Sequence, residues 1–411
     1  MNVLNAMHPS RRRFLQSALY TSAGLFAAGA LGSFPGCRSA CDCFVPNRPR
    51  SGRRLLADLH VHPMMNQWLE VTPVAVANPL IARFAKAFAN PTDVTWKSSY
   101  EAGVDLLCAA HFNLFDEWLS MPTDPDPNAP EHTFRMMRLL EEELEKPEVR
   151  KYAVLARNAQ QLNTFTQIRK TDPEFRTVVV HALEGGHALG GNVESLDEFA
   201  RRGVALIAVT HFFHKGIGSA ANAFPYFADD NSKQPYLGLS EFGKAVVQKM
   251  EKLGIIIDVS HATSATIADI LREVSCPVIA THVSARTLGN HPYSLRDEHL
   301  EEIARRGGII GVVLMPYWLS NFNSEHEALE NGSLKDVVRT IRYVVKLCGP
   351  DHVGIGSDFE GYIPPPRDMK CLAEIGTLQS YLDDEFGDPK ITDKIMAQNT
   401  IDFLVKNWGK K

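Results

Sequence analysis

Ile255-Ile256-Ile257-Asp258-Val259-Ser260-His261 decides the fold. A short apolar run that ends on a polar, chemistry-bearing side chain is what a strand of a parallel sheet looks like when its C-terminal end opens on a pocket. The next run along the chain, Val278 to His282, has the same form. Working outward, the form recurs in Val204 to His211, Ile309 to Met315, Val178 to Glu184, Val353 to Asp358, Val104 to His111 and Leu55 to His62. Helical periodicity fills the stretches between. Ser240 to Leu253 places Phe242, Val246, Val247, Met250 and Leu253 on one face, and Leu334 to Leu347 does so with Val337, Val338, Ile341, Val344 and Val345. Eight runs alternating with helices predict an α/β (β/α)8 TIM barrel. Thr72 to Tyr100 and the Pro/Asp-rich Met121 to Pro130 read as insertions over its C-terminal mouth.

Composition sets the bounds. A chain of 411 residues, 45% hydrophobic and 22% charged, is long enough for one large core with insertions. The formal net charge of -5 offers no basic excess for phosphate backbones, and no nucleic-acid motif is present, which excludes nucleic acid as a partner. Gly185-Gly186 and Gly354-Ile355-Gly356 lack the residues that complete a phosphate-binding loop. The cysteines form no paired framework: Cys37, Cys41 and Cys43 precede the first strand, while Cys108, Cys276 and Cys348 sit in apolar contexts as small core residues.

The first residues read as an address. Ser10-Arg11-Arg12-Arg13-Phe14-Leu15-Gln16 resembles a bacterial twin-arginine export signal, followed by an Ala/Gly-rich apolar stretch to Gly36. The expected organisation is a signal over 1–36, a Pro/Arg-rich linker over 37–53 and a single hydrolase barrel over 54–411. The protein would then use the twin-arginine machinery and reside in the periplasm or cell envelope. Phe34-Pro35-Gly36-Cys37 resembles a lipoprotein cleavage box in part, departing from it at Phe34 and Pro35, which leaves a membrane lipid anchor at Cys37 as the secondary reading.

The strand ends carry the chemistry. His60 and His62, His111, Glu184, His211, His261, His282 and Asp358 end seven of the eight runs, so a barrel would gather them in one pocket. Histidines recurring at this one position point to a metal site rather than to independent core residues. Residues two apart on a strand project to the same side, so His60 and His62 can hold one ion together. Imidazole and carboxylate ligands without clustered thiolates favour zinc, with manganese, cobalt and iron able to take the same geometry. His187 reads as an orienting residue, and His214, His299, His326 and His352 as surface residues. Phe112, Phe212 and Tyr226 are among the aromatics expected at the mouth.

Taken in order, Ala182-Leu183-Glu184-Gly185-Gly186-His187, Val209-Thr210-His211, Gly238-Leu239-Ser240-Glu241-Phe242-Gly243, Ile257-Asp258-Val259-Ser260-His261, Thr281-His282-Val283-Ser284-Ala285-Arg286 and Gly354-Ile355-Gly356-Ser357-Asp358-Phe359-Glu360-Gly361 resemble the membrane (renal) dipeptidase family of the amidohydrolase superfamily. The resemblance implies a barrel of amidohydrolase type with two divalent ions, normally zinc, that cleaves the amide bond of dipeptides, including those with a C-terminal D-residue. It also implies a homodimer by analogy. Glu184 would bridge the ions, His60 and His62 would hold the first, and His261 and His282 the second. His211 would contact substrate and steady the oxyanion, and Asp358 would shuttle a proton.

Two departures bear on substrate. The family normally has an aspartate where this chain has His62. Where the family runs His-Pro-Arg-Asn, with the arginine clasping the dipeptide carboxylate, this chain has His291-Pro292-Tyr293-Ser294. Tyr293 and Arg286 are therefore the candidate substrate-binding residues, although a tyrosine cannot supply a guanidinium's charge or paired donors. The departures leave open an amidase, lactonase or phosphoesterase on the same scaffold. A catalytically silent binding protein is the third reading, opposed by the retention of Asp358 and His211 with the ligand set.

Overall fold

The computed structural model describes residues 54–72, 76, 94–118, 125–168, 175–221, 237–369 and 371–410. The export signal, the linker, Cys37, the middle of the 72–100 insertion, residues 121–124 and Tyr226 lie outside them. Nine strands are described: β1 Ala57–Val61, β2 Leu106–His111, β3 Ala153–Leu155, β4 Thr177–Glu184, β5 Val204–Ala208, β6 Ile256–Asp258, β7 Ala280–Val283, β8 Ile310–Val313 and β9 Val353–Gly356. Eight of them lie within or overlap the runs picked out above. β3 is the addition, a three-residue strand too short to carry a pattern of its own.

All pairings are parallel, in the orders β1-β2-β4-β5-β6 and β7-β8-β9. The two sheets meet at two seams. Val259 N donates to Ile279 O at 2.8 Å and Ile279 N to Ile257 O at 2.9 Å, while Asp358 N donates to His60 O and His62 N to Phe359 O, both at 2.9 Å. The result is a curled parallel sheet with helices between its strands. β3 pairs with β4 at Thr177–Val179, on the edge that β5 uses further along, and so fills the lower half of that edge.

β4 shows how the sheet is covered on both sides. Val178, Val180 and Ala182 belong to the core cluster that holds Leu206, Ile256 and Ile279, whereas Val179 and Leu183 belong to the one that holds Met137 and Leu140 of the helix Ala129–Glu145. This period-two division sends Glu184 to the first side and His181 to the second. The two amphipathic helices read from the sequence form as Glu241–Leu253, capped by Ser240 Oγ accepting from Gly243 N, and Leu334–Cys348, opened by a Ser333/Asp336 capping box.

Candidate metal centre and active site

Glu184, at the last position of β4, is the hub. Its carboxylate lies 3.2 Å from His60 Nε2, 3.4 Å from His62 Nε2, 3.2 Å from His261 Nε2 and 3.4 Å from His282 Nε2. The imidazoles fall into two pairs, His60 and His62 with Nε2 atoms 3.1 Å apart, His261 and His282 with Nε2 atoms 2.9 Å apart. Asp358 Oδ1 sits 3.2 Å from His62 Nε2, out of line for a hydrogen bond. Four buried imidazole nitrogens and two carboxylates facing one another form a donor set that fits divalent cations, since neutral imidazoles present lone pairs and the carboxylates balance the charge.

Backbone strain aims two of these groups. His261 and Asp358 follow β6 and β9 with φ of 63° and 59°, the left-handed region that costs a non-glycine residue about 1–3 kcal/mol. Gly361 is required by its neighbour, because a Cβ there would lie 1.9 Å from Asp358 Oδ1. Gly185, at φ 93°, makes the turn out of β4, where a Cβ would meet His187 Nδ1 at 2.3 Å.

A shell of polar residues fixes the ligands. Asp258 Oδ1 accepts from Ser260 N and Thr281 N, its Oδ2 accepts from Thr281 Oγ1, and Thr281 Oγ1 lies 2.8 Å from His282 Nδ1. The Thr281 contact sets the ring orientation and tautomer of His282. Under the other pair Asp58 fixes backbone and not a ring, accepting from His60 N and from the backbone and hydroxyl of Ser357. His211 is held from behind by the fully buried Glu117, whose Oε2 lies 2.7 Å from His211 Nδ1 while its Oε1 accepts from Phe212 N and Phe213 N. The proton on Nδ1 is assigned from this carboxylate contact, and it leaves His211 Nε2 facing Glu184 at 3.6 Å.

Charge separates His60 from His261 and His282. Burial pushes the pKa of His261 down to about 4 and that of His282 down to about 3. Burial acts on His60 in the same direction, but Glu184 and Asp358 outweigh it and raise its pKa to about 9. For Glu184, burial pushes the carboxyl up, and the facing charges of His211 and His60 hold it well below the usual range. His211 is raised against burial by Glu184 and Glu117, which favours its cationic form.

A narrow, partly open cleft lies above these groups. His62, Glu184, His211, His261 and Asp358 form its polar lining, and Phe112, Phe212, Trp318, Tyr362 and Ile363 its apolar wall.

Comparison with known proteins agrees with this geometry. The model of the membrane dipeptidase family, peptidase family M19, matches residues 56–404. The chain belongs to that family. An uncharacterized dipeptidase of Schizosaccharomyces pombe is 28% identical over 48% of the chain, and the dipeptidase aclJ of Aspergillus oryzae 30% identical over 49%. In each case the match covers 45% of the relative, so the chain spans about half the length of these curated relatives. A metallopeptidase of Rhodobacter sphaeroides, solved with a phosphinate mimic of L-Ala-D-Ala, has a similar fold, with a TM-score of 0.67 at 19% identity over 87% of this chain and 100% of that one.

Within this membrane dipeptidase family member, several residues stand elsewhere than the sequence suggested. His111 ends β2 but faces the helix layer, its Nε2 2.8 Å from His181 Nδ1, and His181 Nε2 lies 3.3 Å from Glu141 Oε1. Tyr293 is buried beneath the site, its ring 4.8 Å from that of His261, and its hydroxyl donates to the His282 carbonyl instead of facing the cleft. Arg286 is half-buried and donates from Nη2 to the Pro292 carbonyl of its own loop, away from the cleft lining. His214 and His299 are buried, not superficial, and His352 is half-buried with Nδ1 3.0 Å from Gly308 O. The side chain of His326 lies outside the described residues.

Glu117, Asp58 and Tyr362 escaped the sequence reading. A buried aspartate inside an apolar strand, as in Leu56-Ala57-Asp58-Leu59, is a usable signal because an unpaired charge there would be costly. Glu117 offers none, since Phe115-Asp116-Glu117-Trp118 reads as an ordinary short helix.

Proposed function

We propose that the chain is a binuclear zinc dipeptidase whose eight principal strands close into a (β/α)8 barrel of amidohydrolase type. The observation that carries the reading is the convergence of four imidazole Nε2 atoms on the Glu184 carboxylate. In this reading His60 and His62 would hold one ion, His261 and His282 the other, and Glu184 would serve both. Two such ions, when bound, acidify a shared water and polarise the scissile carbonyl. The chain's own groups do the rest. Asp358 Oδ1, buried and without a hydrogen-bond partner, takes the proton from the attacking water and delivers it to the leaving amine. His211, oriented by Glu117, donates from Nε2 to the oxygen that becomes anionic. Phe112, Phe212 and Trp318 exclude water around an apolar substrate side chain.

The dipeptide mimic bound by the Rhodobacter neighbour supports a small peptide substrate, including one with a C-terminal D-residue. A second reading is favoured by one observation. Tyr293 and Arg286 are both turned to backbone carbonyls, and among the described residues no lysine or arginine lines the cleft, which suits an uncharged substrate such as an amide or a lactone. The test is hydrolysis by the zinc-loaded chain of L,L and L,D dipeptides beside their C-terminally amidated forms, with Asp358→Asn as control. Carboxylate-dependent turnover that the control loses upholds the dipeptidase; turnover of amidated substrates alone upholds the second reading. Export is part of the proposal, supported by the twin-arginine-like start and by Cys371, which is disulfide-bonded while Cys108, Cys276 and Cys348 are free.

A further inference from the structure

With Tyr293 and Arg286 engaged elsewhere, Tyr362 at the cleft wall carries a neutral donor without an assignment. Tyr362 lines the cleft beside Asp358 and Ile363, and its ring packs against the cluster formed by Met65, Leu69, Phe112, Leu114 and Phe115. Its hydroxyl is shielded from solvent and has no hydrogen-bond partner. A phenol buried without an acceptor destabilises the unliganded protein, since its hydration is lost and nothing replaces it.

The backbone that presents this ring is strained as well. Tyr362 has φ 66°, in the left-handed region where a bulky aromatic is an outlier, and Glu360, two residues earlier, has φ 64°. Glu360 is tied down from outside the loop. Its carboxylate accepts from Asn66 Nδ2 at 2.7 Å and from Val94 N at 3.4 Å. Gly361 between them lies against the Asp358 carboxylate, so the segment 358–362 is one unit that sets both the acid and the ring. Strain and an unmatched donor at the wall of a cleft are together the mark of a residue kept for a ligand.

We propose that Tyr362 anchors the substrate by donating a hydrogen bond from its hydroxyl to a carbonyl or carboxylate oxygen of the bound peptide or amide, serving as the cleft's neutral substitute for a cationic clasp. The inference rests on the hydrolase reading, because it concerns the substrate of the same site. Burial and the Glu360 charge push the hydroxyl's pKa up, so it stays a donor across the working pH range.

The test is Tyr362→Phe in the full-length, zinc-loaded chain, measured on a free L,L dipeptide and its amidated form. The expected result is a KM raised about three- to tenfold, the loss of one neutral hydrogen bond, with kcat within about twofold and a Tm equal to or above wild type. Equal effects on the two substrates assign the carbonyl as acceptor, and an effect confined to the free acid assigns the carboxylate. An unchanged KM on both, or a Tm that falls while KM stays put, overturns the proposal. Should wild type cut neither substrate, the dipeptidase reading fails by itself, and binding of a phosphinate dipeptide mimic then decides: a Kd weakened in Tyr362→Phe upholds the anchor. An equal Kd, or no binding by wild type, overturns it.

Discussion

The strand ends and the loops that leave them obey different rules. Along β4 each second residue faces the same way, so the placement of Glu184 follows from Val178, Val180 and Ala182 before it. In the segment 284–296 direction comes instead from hydrogen bonds made across the loop, and in 358–362 from left-handed residues, neither of which leaves a period in the sequence. Tyr293 illustrates the point: it sits two residues after His291, yet its hydroxyl turns back to the His282 carbonyl. Glu184, His60 and His282 are therefore placed by the strands, whereas His261, Asp358 and Tyr293 take their direction from the turns and loops that follow.

The largest expected effect strikes the strand half. Glu184→Gln removes the carboxylate on which the two histidine pairs converge, and it should lower turnover by about 10³-fold or more with loss of bound zinc, read by elemental analysis beside the assay. Retained zinc and near-normal turnover would show that the pairs do not depend on the hub.

Gly361→Ala probes the point where the halves meet. Its Cβ would collide with Asp358 Oδ1, so kcat should fall by about 10²-fold while zinc content stays at the wild-type level. Loss of zinc together with activity would instead place the loop's role in ligand retention.

Glu117→Gln weakens the support of His211. A drop in kcat of about tenfold is expected with little change in KM. The carboxyl of Glu117 is pushed up by burial but pulled down further by His211 and His187, to about 2 from an ordinary 4.5. A depressed carboxylate contributes stability that is present above about pH 4.5 and is lost as pH falls through about 2. Acid unfolding of the glutamine variant should accordingly be less steep between those values, which circular dichroism against pH would record.

The smallest effect belongs to Tyr293→Phe. Losing one buried hydrogen bond should cost about 1 kcal/mol of stability in denaturant titration, and KM should not move. A KM shift in this variant would return Tyr293 to the substrate site and narrow the contrast between strands and loops.

The legible part of the molecule is the part with periodicity. Ile255 to His261 and its relatives announced β6 and the other principal strands, and His60 and His62, two apart at the end of β1 and just past it, announced a shared ligand direction. His111 marks the limit of that logic. It ends β2 as His282 lies in β7, but β2 places Leu106 and Cys108 in one core cluster and Leu107 and Ala109 in the other, so His111 falls on the helix side with the latter pair. Strand-end position alone does not tell the two faces apart. Glu117 and Tyr362 were illegible for another reason: each matters through tertiary neighbours far along the chain, His211 for the one and the Asn66–Glu360 contact for the other.

The most direct test of the account is a count of metal per chain in the full-length protein stripped and reloaded with zinc, with dipeptide hydrolysis followed in the same preparations. The account predicts two zinc ions per chain, with turnover appearing only as the pair is completed. A single ion per chain, or hydrolysis that survives complete stripping, would contradict it.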